Sequence, residues 1–165
     1  MKLNEYGLFK GDAARSIACK DEAAIFKALG LAYIEPELRE DAGEIEAAET
    51  GKLPELVEAA DLRGLMHAHS THTDGTATIA EMARAAKALG YSYLAITDHS
   101  QAVTIAHGMK PRAVAFQHQE IDELNAKLRG FCVLKGIEVD ILADGALDYD
   151  DELLAAFDVV IAAIH

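Results

Sequence analysis

From Leu62 onward, apolar runs alternate with amphipathic stretches, and this alternation limits the possible folds more than any other feature of the sequence. Apolar runs separated by helical patterns favour parallel strands covered by helices, because each parallel connection needs a crossover long enough to hold a helix. Four strands are expected, at residues 65–69, 91–97, 131–141 and 159–164. The first is followed by a helix at 79–89, opened by the capping box Thr78 and Glu81 and stopped by Gly90. After the second come the loop SQAVTIAHGMK and a helix at 111–128, with Pro111 in its first turn and Gly130 past its end. A short helix at 150–157 precedes the last strand.

The first sixty residues read differently. A strand-like piece at 3–9 leads to a helix at 21–29 closed by Gly30, and a second extended piece at 31–34 meets Pro36. The stretch ELREDAGEIEAAETGKLPELVEAADL alternates acidic residues with short apolar repeats, the pattern of small surface helices with little core of their own; residues 35–49 are expected to form a solvated linker face. Residues 1–60 are therefore expected to be an appendage and 61–165 the main body. A 51% hydrophobic and 26% charged composition excludes a disordered or collagenous chain. No apolar run approaches the roughly 18 residues needed to span a bilayer, and the start lacks a signal peptide's pattern, so a cytoplasmic protein with no membrane partner is expected. Cys19 and Cys132, far apart and not in a metal-binding spacing, are expected to be reduced packing residues. The formal charge of −13 disfavours nucleic-acid binding through a basic face, unless bound divalent cations reverse the local field. The sequence carries no signal of oligomeric state.

Each expected strand places a metal-capable side chain at or near its carboxyl end: His67 and His69, then Asp98 and His99, then Glu138, then His165. In a barrel of parallel strands those ends form one face, so residues remote in sequence converge there. Within MHAH, the period of two sends His67 and His69 to the same side. Imidazoles suit zinc, manganese or iron, carboxylates add charge compensation, and the absence of thiolates favours a catalytic over a closed structural site. Taken singly, Asp74 in THTDGT serves a turn as readily as an ion, Asp98 a loop cap, and His99 the interior. Glu138, flanked by Gly136, Ile137 and Val139, is a carboxylate in an apolar strand and needs a partner.

MHAHSTHTDG, AITDHS, LKGIEVDIL and the terminal AAIH, in this order, resemble the motifs of the PHP family, the polymerase and histidinol phosphatase superfamily of metal-dependent phosphoesterases. KLNEYGLFKG, ALGLAYIEPELREDAGEIEAA and DLRG resemble the junction between polymerase region and PHP domain in bacterial family X DNA polymerases. The resemblance implies an α/β fold: part of a distorted (βα)7 TIM-like barrel at 61–165, preceded at 1–60 by a small α+β remnant of a polymerase thumb region and a linker. It implies up to three ions, Mn2+ or Zn2+. His67 and His69 would hold one, Glu138 would bridge to a second held also by His165, and Asp74 with His99 would serve a third, with Asp98 outside the ligand set. The implied chemistry is phosphoester hydrolysis at DNA 3′ ends, as 3′–5′ exonuclease or 3′ phosphatase in DNA repair.

The family pattern continues past the fourth strand with a further His or Cys and a late Asp and His. The chain is therefore expected to be an internal fragment of a longer protein, with the polymerase palm before Met1, no nucleotidyl transfer of its own, and DNA reached through the complete parent. His107, Lys110 and Arg112 are candidates to meet phosphate from the loop; His72 has no family role to inherit, and His118 is expected on a helix face. Two other readings compete: a small-molecule phosphatase such as histidinol phosphatase, against which LNEYGLF and PELRED argue, and a metal-stabilised module without catalysis.

Overall fold

A turn closed by the Asn4 side chain, whose Oδ1 accepts the Tyr6 N–H at 3.0 Å, splits the expected extended piece at 3–9 into a hairpin. In this computed structural model, which describes residues 1–11 and 13–165, β1 (Lys2–Asn4) pairs antiparallel with β2 (Gly7–Phe9). Helix α1 (Glu22–Leu29) begins where Asp21 Oδ1 accepts the Ala24 N–H and ends at Gly30, whose φ of 79° is left-handed. The segment at 31–34 gains no strand partner among the described residues. It is tied down instead: Ala32 donates to the Ala48 carbonyl of α2 (Glu44–Thr50), and the Arg39 guanidinium donates to the Ile34 carbonyl. Arg39 also grips Glu22 with two parallel bonds of 2.8 and 3.1 Å, its guanidinium carbon lying 5.3 Å from the Phe26 ring centre and 5.6 Å from that of Tyr33. Met1–Val57 forms one compact unit in which Leu8, Ile34 and Ala48 are buried.

Glu58–His165 forms the second unit. Its sheet has four parallel strands in sequential order, β3 (Gly64–Leu65), β4 (Tyr93–Ile96), β5 (Cys132–Asp140) and β6 (Val159–Ala163). The crossovers carry α3 (Ile79–Ala88), α4 (Pro111–Asn125) and α5 (Asp151–Leu154). The capping box of α3 is present, Thr78 and Glu81 each accepting the other's backbone N–H. Ile79, Ala83 and Ala86 of α3 pack with Leu94 and Ile96 of β4, Ile121 of α4, and Phe131 and Val133. Met109, Val114, Ile137, Val139 and Tyr149 form a second cluster. No helix among the described residues is long and apolar enough to cross a membrane.

Several elements are shorter than the sequence predicts, β3 and α4 for local reasons. The strand expected at 65–69 keeps only Gly64–Leu65, because farther along the Ala68 N–H is taken by the Thr97 hydroxyl at 3.0 Å rather than by a ladder carbonyl. The Thr97 N–H still bonds the Ala68 carbonyl, so the chain stays beside β4 without regular pairing. Helix α4 stops at Asn125, whose amide exchanges two 2.8 Å bonds with the Val133 backbone and so ties the helix end to β5. Helix α5 covers Asp151–Leu154 with Asp150 as its cap, not 150–157. Cys132 lies exposed at the start of β5 and Cys19 is half-buried, so neither is the packing residue expected; both are free thiols.

Candidate metal centre

Alternation along β5 sets the centre of the site. Ile137 and Val139 point into the second apolar cluster, which turns Glu138 and Asp140 to the opposite face, where both are buried. His99, just past β4, forms a parallel bridge with Glu138, and the Ser100 N–H donates to the Glu138 carbonyl at 2.9 Å. His67 and His69 come from the irregular continuation of β3, Asp74 from the turn that follows, and His165 from the residues after β6.

Around Glu138 the distances are those of a ligand cluster. Its Oε2 lies 3.2 Å from the Nε2 atoms of both His67 and His69 and 3.3 Å from His99 Nδ1. Its Oε1 lies 3.5 Å from His165 Nε2. Asp74 approaches His69 Nδ1 at 3.3 Å and His99 Nε2 at 3.6 Å. Three groups can each hold a metal ion: His67, His69 and Glu138; His69, Asp74 and His99; His99, Glu138 and His165. All six residues expected from the sequence are brought together. The groups overlap, however, and a neutral imidazole has one lone pair, so His69 and His99 can each serve only one ion at a time. One division that respects that count is His67, His69 and Glu138, then Asp74 and His99, then Glu138 and His165, with His69 and His99 each offering Nε2.

The donor set fits divalent cations. His69 Nδ1 and His99 Nδ1 are buried and have no hydrogen-bond partner; an imidazole that gave its Nε2 lone pair to an ion would carry its proton on Nδ1, 3.3 Å from Asp74 Oδ1 in His69 and 3.3 Å from Glu138 Oε2 in His99. Burial, reinforced by the neighbouring His99 and His67, lowers the pKa of His69 and favours the neutral imidazole that a metal requires. At His165 the shift is upward, because its Nδ1–H donates to Asp140 Oδ1 at 2.5 Å; that bond leaves Nε2 as the free lone pair facing Glu138. Sequence reasoning passed over Asp140, although it lies two residues beyond Glu138 on the same strand face, and that spacing was the available signal.

Asp98 stands outside all three groups. It is fully buried and accepts hydrogen bonds from Ser70, Thr73 and Gln117. His72 pairs with Glu120 of α4 at 2.8 Å. His118 lies on α4, as expected of a helix face, half-buried and edge-on to Phe157 at 4.7 Å between ring centres. Of the loop candidates, His107 lies in the loop, Lys110 is the N-cap of α4, and Arg112 is in the first turn of that helix and not in the loop; all three are exposed and belong to none of the three groups, and Arg112 lies over the Phe116 ring at 5.9 Å. The loop nevertheless springs from the site. The Met109 N–H donates to the His99 carbonyl at 2.8 Å, and Gly108 passes so close to the Ser100 carbonyl that any side chain there would collide with it.

Comparison with known proteins bears on this arrangement. Residues 66–165 match the family model of the PHP domain, and residues 1–40 match that of the DNA polymerase beta thumb. Over 164 residues, 99% of the chain, the sequence is 43% identical to a Bacillus subtilis protein named DNA polymerase/3′-5′ exonuclease PolX. Over 100 residues, 58% of the chain, it is 34% identical to a probable phosphatase of Acetivibrio thermocellus. The aligned segments make up 28% and 39% of those two proteins, so the chain corresponds to only part of each.

Proposed function

The chain belongs to the PHP domain family, and from that premise we propose that its cluster is the metal centre of a phosphoesterase that hydrolyses DNA 3′ ends, within a cytoplasmic family X polymerase engaged in DNA repair. The observation that carries this reading is the 43% identity, running through both the thumb-like and the PHP segments, to a protein named as polymerase and 3′-5′ exonuclease. On this reading residues 1–60 are the end of a thumb region and a linker, and 61–165 the first part of a PHP domain whose sheet continues into a seven-unit barrel. The nucleic acid is reached through the parent protein.

His67, His69 and Glu138 would hold one ion, Glu138 and His165 a second, and Asp74 with His99 a third, with Mn2+ or Zn2+ as the expected metals. Bound divalent cations would acidify water and neutralise phosphoryl oxygens. The chain's own residues do the positioning. Glu138 presents its two oxygens to opposite sides, one toward His67, His69 and His99 and the other toward His165. Asp140 holds His165 in one tautomer. Lys110, the N-cap of α4, and Arg112, in its first turn, follow the loop anchored at His99 and are available to hold backbone phosphates of the strand.

The test uses 3′-end-labelled single-stranded DNA with the full-length protein that contains this chain. Release of the terminal nucleotide or phosphate in the presence of Mn2+, abolished by Glu138→Ala with folding intact, is the expected result; undiminished release by that variant overturns the reading. The likeness to a probable phosphatase favours a second reading, a site for small phosphomonoesters. Rapid hydrolysis of histidinol phosphate with no attack on DNA would establish it instead.

A further inference from the structure

We propose that Asp98, with Thr73 and Gln117, is a positioning device that sets the Asp74 carboxylate in the metal centre from outside it. The inference deepens the metal reading above and rests on it. Asp98 follows β4 immediately before His99, which by sequence makes it a natural ligand, yet its coordination sites are already filled. Oδ1 accepts the Ser70 N–H at 2.7 Å and the Thr73 hydroxyl at 2.5 Å; Oδ2 accepts the Ser70 hydroxyl at 2.5 Å and the Gln117 amide at 2.6 Å. A carboxylate offers about four lone-pair sites, so these four donors leave none for an ion. They also explain how a carboxylate with no exposed surface is tolerated without an ion pair among the described residues.

Three of the four donors come from the segment that bears His69 and Asp74. Ser70 follows His69 and Thr73 precedes Asp74, so Asp98 holds both ends of the intervening turn. Within the turn the Thr73 and Gly75 N–H groups both donate to the Ser70 carbonyl, and a side chain at Gly75 would collide with the His69 carbonyl. Asp74 itself is half-exposed, and the ring nitrogens that approach it belong to the cluster. Its placement therefore comes from the turn beneath it. Gln117 adds the second support. Its side chain is fully buried, its Oε1 has no partner, and its one hydrogen bond goes to Asp98. Two turns of α4 thus reach the same turn, Gln117 through Asp98 and Glu120 through His72.

Mn2+ binding, followed by the electron paramagnetic resonance of the free ion, tests the relay by a double-substitution cycle on the full chain. Asp74→Ala is expected to weaken Mn2+ binding. Thr73→Val, which keeps the shape and removes the hydroxyl, is expected to weaken it about tenfold, the lower end for a residue supporting a metal ligand. Thr73→Ser should restore wild-type binding. If Thr73 acts through Asp74, the double variant binds no more weakly than Asp74→Ala alone. Losses that multiply in the double variant, or wild-type binding by Thr73→Val, overturn the proposal. Unchanged binding by Asp74→Ala removes Asp74 from the metal reading and takes the proposal with it. Should Thr73→Val fail to fold by circular dichroism, Gln117→Met replaces it in the same cycle with the same expected outcomes.

Discussion

The two halves of the metal centre are positioned by different means. Glu138 belongs to β5, where backbone ladder bonds and the period of two decide where a side chain points, and His165, two residues past β6, is held by Asp140 of that same strand face. His67, His69 and Asp74 lie on irregular chain, where side-chain hydrogen bonds decide it: Thr97 to Ala68, and Asp98 to Ser70 and Thr73. A strand-borne ligand tolerates changes in its neighbours because its direction is set by the whole ladder. A turn-borne ligand depends on a few named contacts, so single substitutions well outside the centre should disturb it.

The largest effect should come from Asp98→Ala, which strands the Ser70, Thr73 and Gln117 donors in the interior. Removing one partner of a buried, charge-assisted network costs on the order of 3–5 kcal/mol, and urea unfolding of the metal-free protein would show it. Little change in stability would mean the turn is held by something other than this network. Next comes Glu138→Ala, which removes a member common to two of the three ligand groups and should abolish stoichiometric metal binding in equilibrium dialysis while leaving the strand ladder in place. Asp140→Asn should weaken binding at the His165 side by about 10–100-fold, because the amide no longer fixes the imidazole tautomer. If Asp140→Asn instead unfolds the chain, the strand-borne half is as contact-dependent as the other.

Smaller again is Lys110→Ala with Arg112→Ala, expected to lower affinity for a single-stranded oligonucleotide several-fold and to reduce the slope of log affinity against log salt by about one for each phosphate no longer neutralised. The smallest effect concerns pH, away from the centre. Burial lowers the pKa of His118, with Lys135 adding to the shift and Asp122 and Asp158 opposing it. The folded state then binds fewer protons than the unfolded one. This contribution to stability is complete above the unfolded value of about 6.5, declines as the pH falls through it, and levels off below the folded value. His118→Gln should flatten that part of the stability profile.

The same contrast governs what could be read in advance. Helix starts at Thr78 and Asp21, the left-handed stop at Gly30, the sequential parallel strands and the convergence of six ligand-type residues all follow from local pattern and period. Thr97, Asn125, Thr73 and Gln117 act through partners 8 to 29 residues away, and such pairings leave no period in the sequence. The shortening of β3 and the role of Asp98 were hidden for that reason. The hairpin at the N-terminus was missed because a tight Asn4 turn leaves only three residues on each side, too few for an alternation to register.

The loop between Ser100 and Met109 has its own implication for how such a protein diversifies. Its stem is fastened to His99 and leaves no room at Gly108, whereas its tip presents Ile105 almost wholly to solvent, 91% exposed. Insertions at the tip should therefore be inherited cheaply, giving related chains different reaches over their substrates, while the stem stays constant in length.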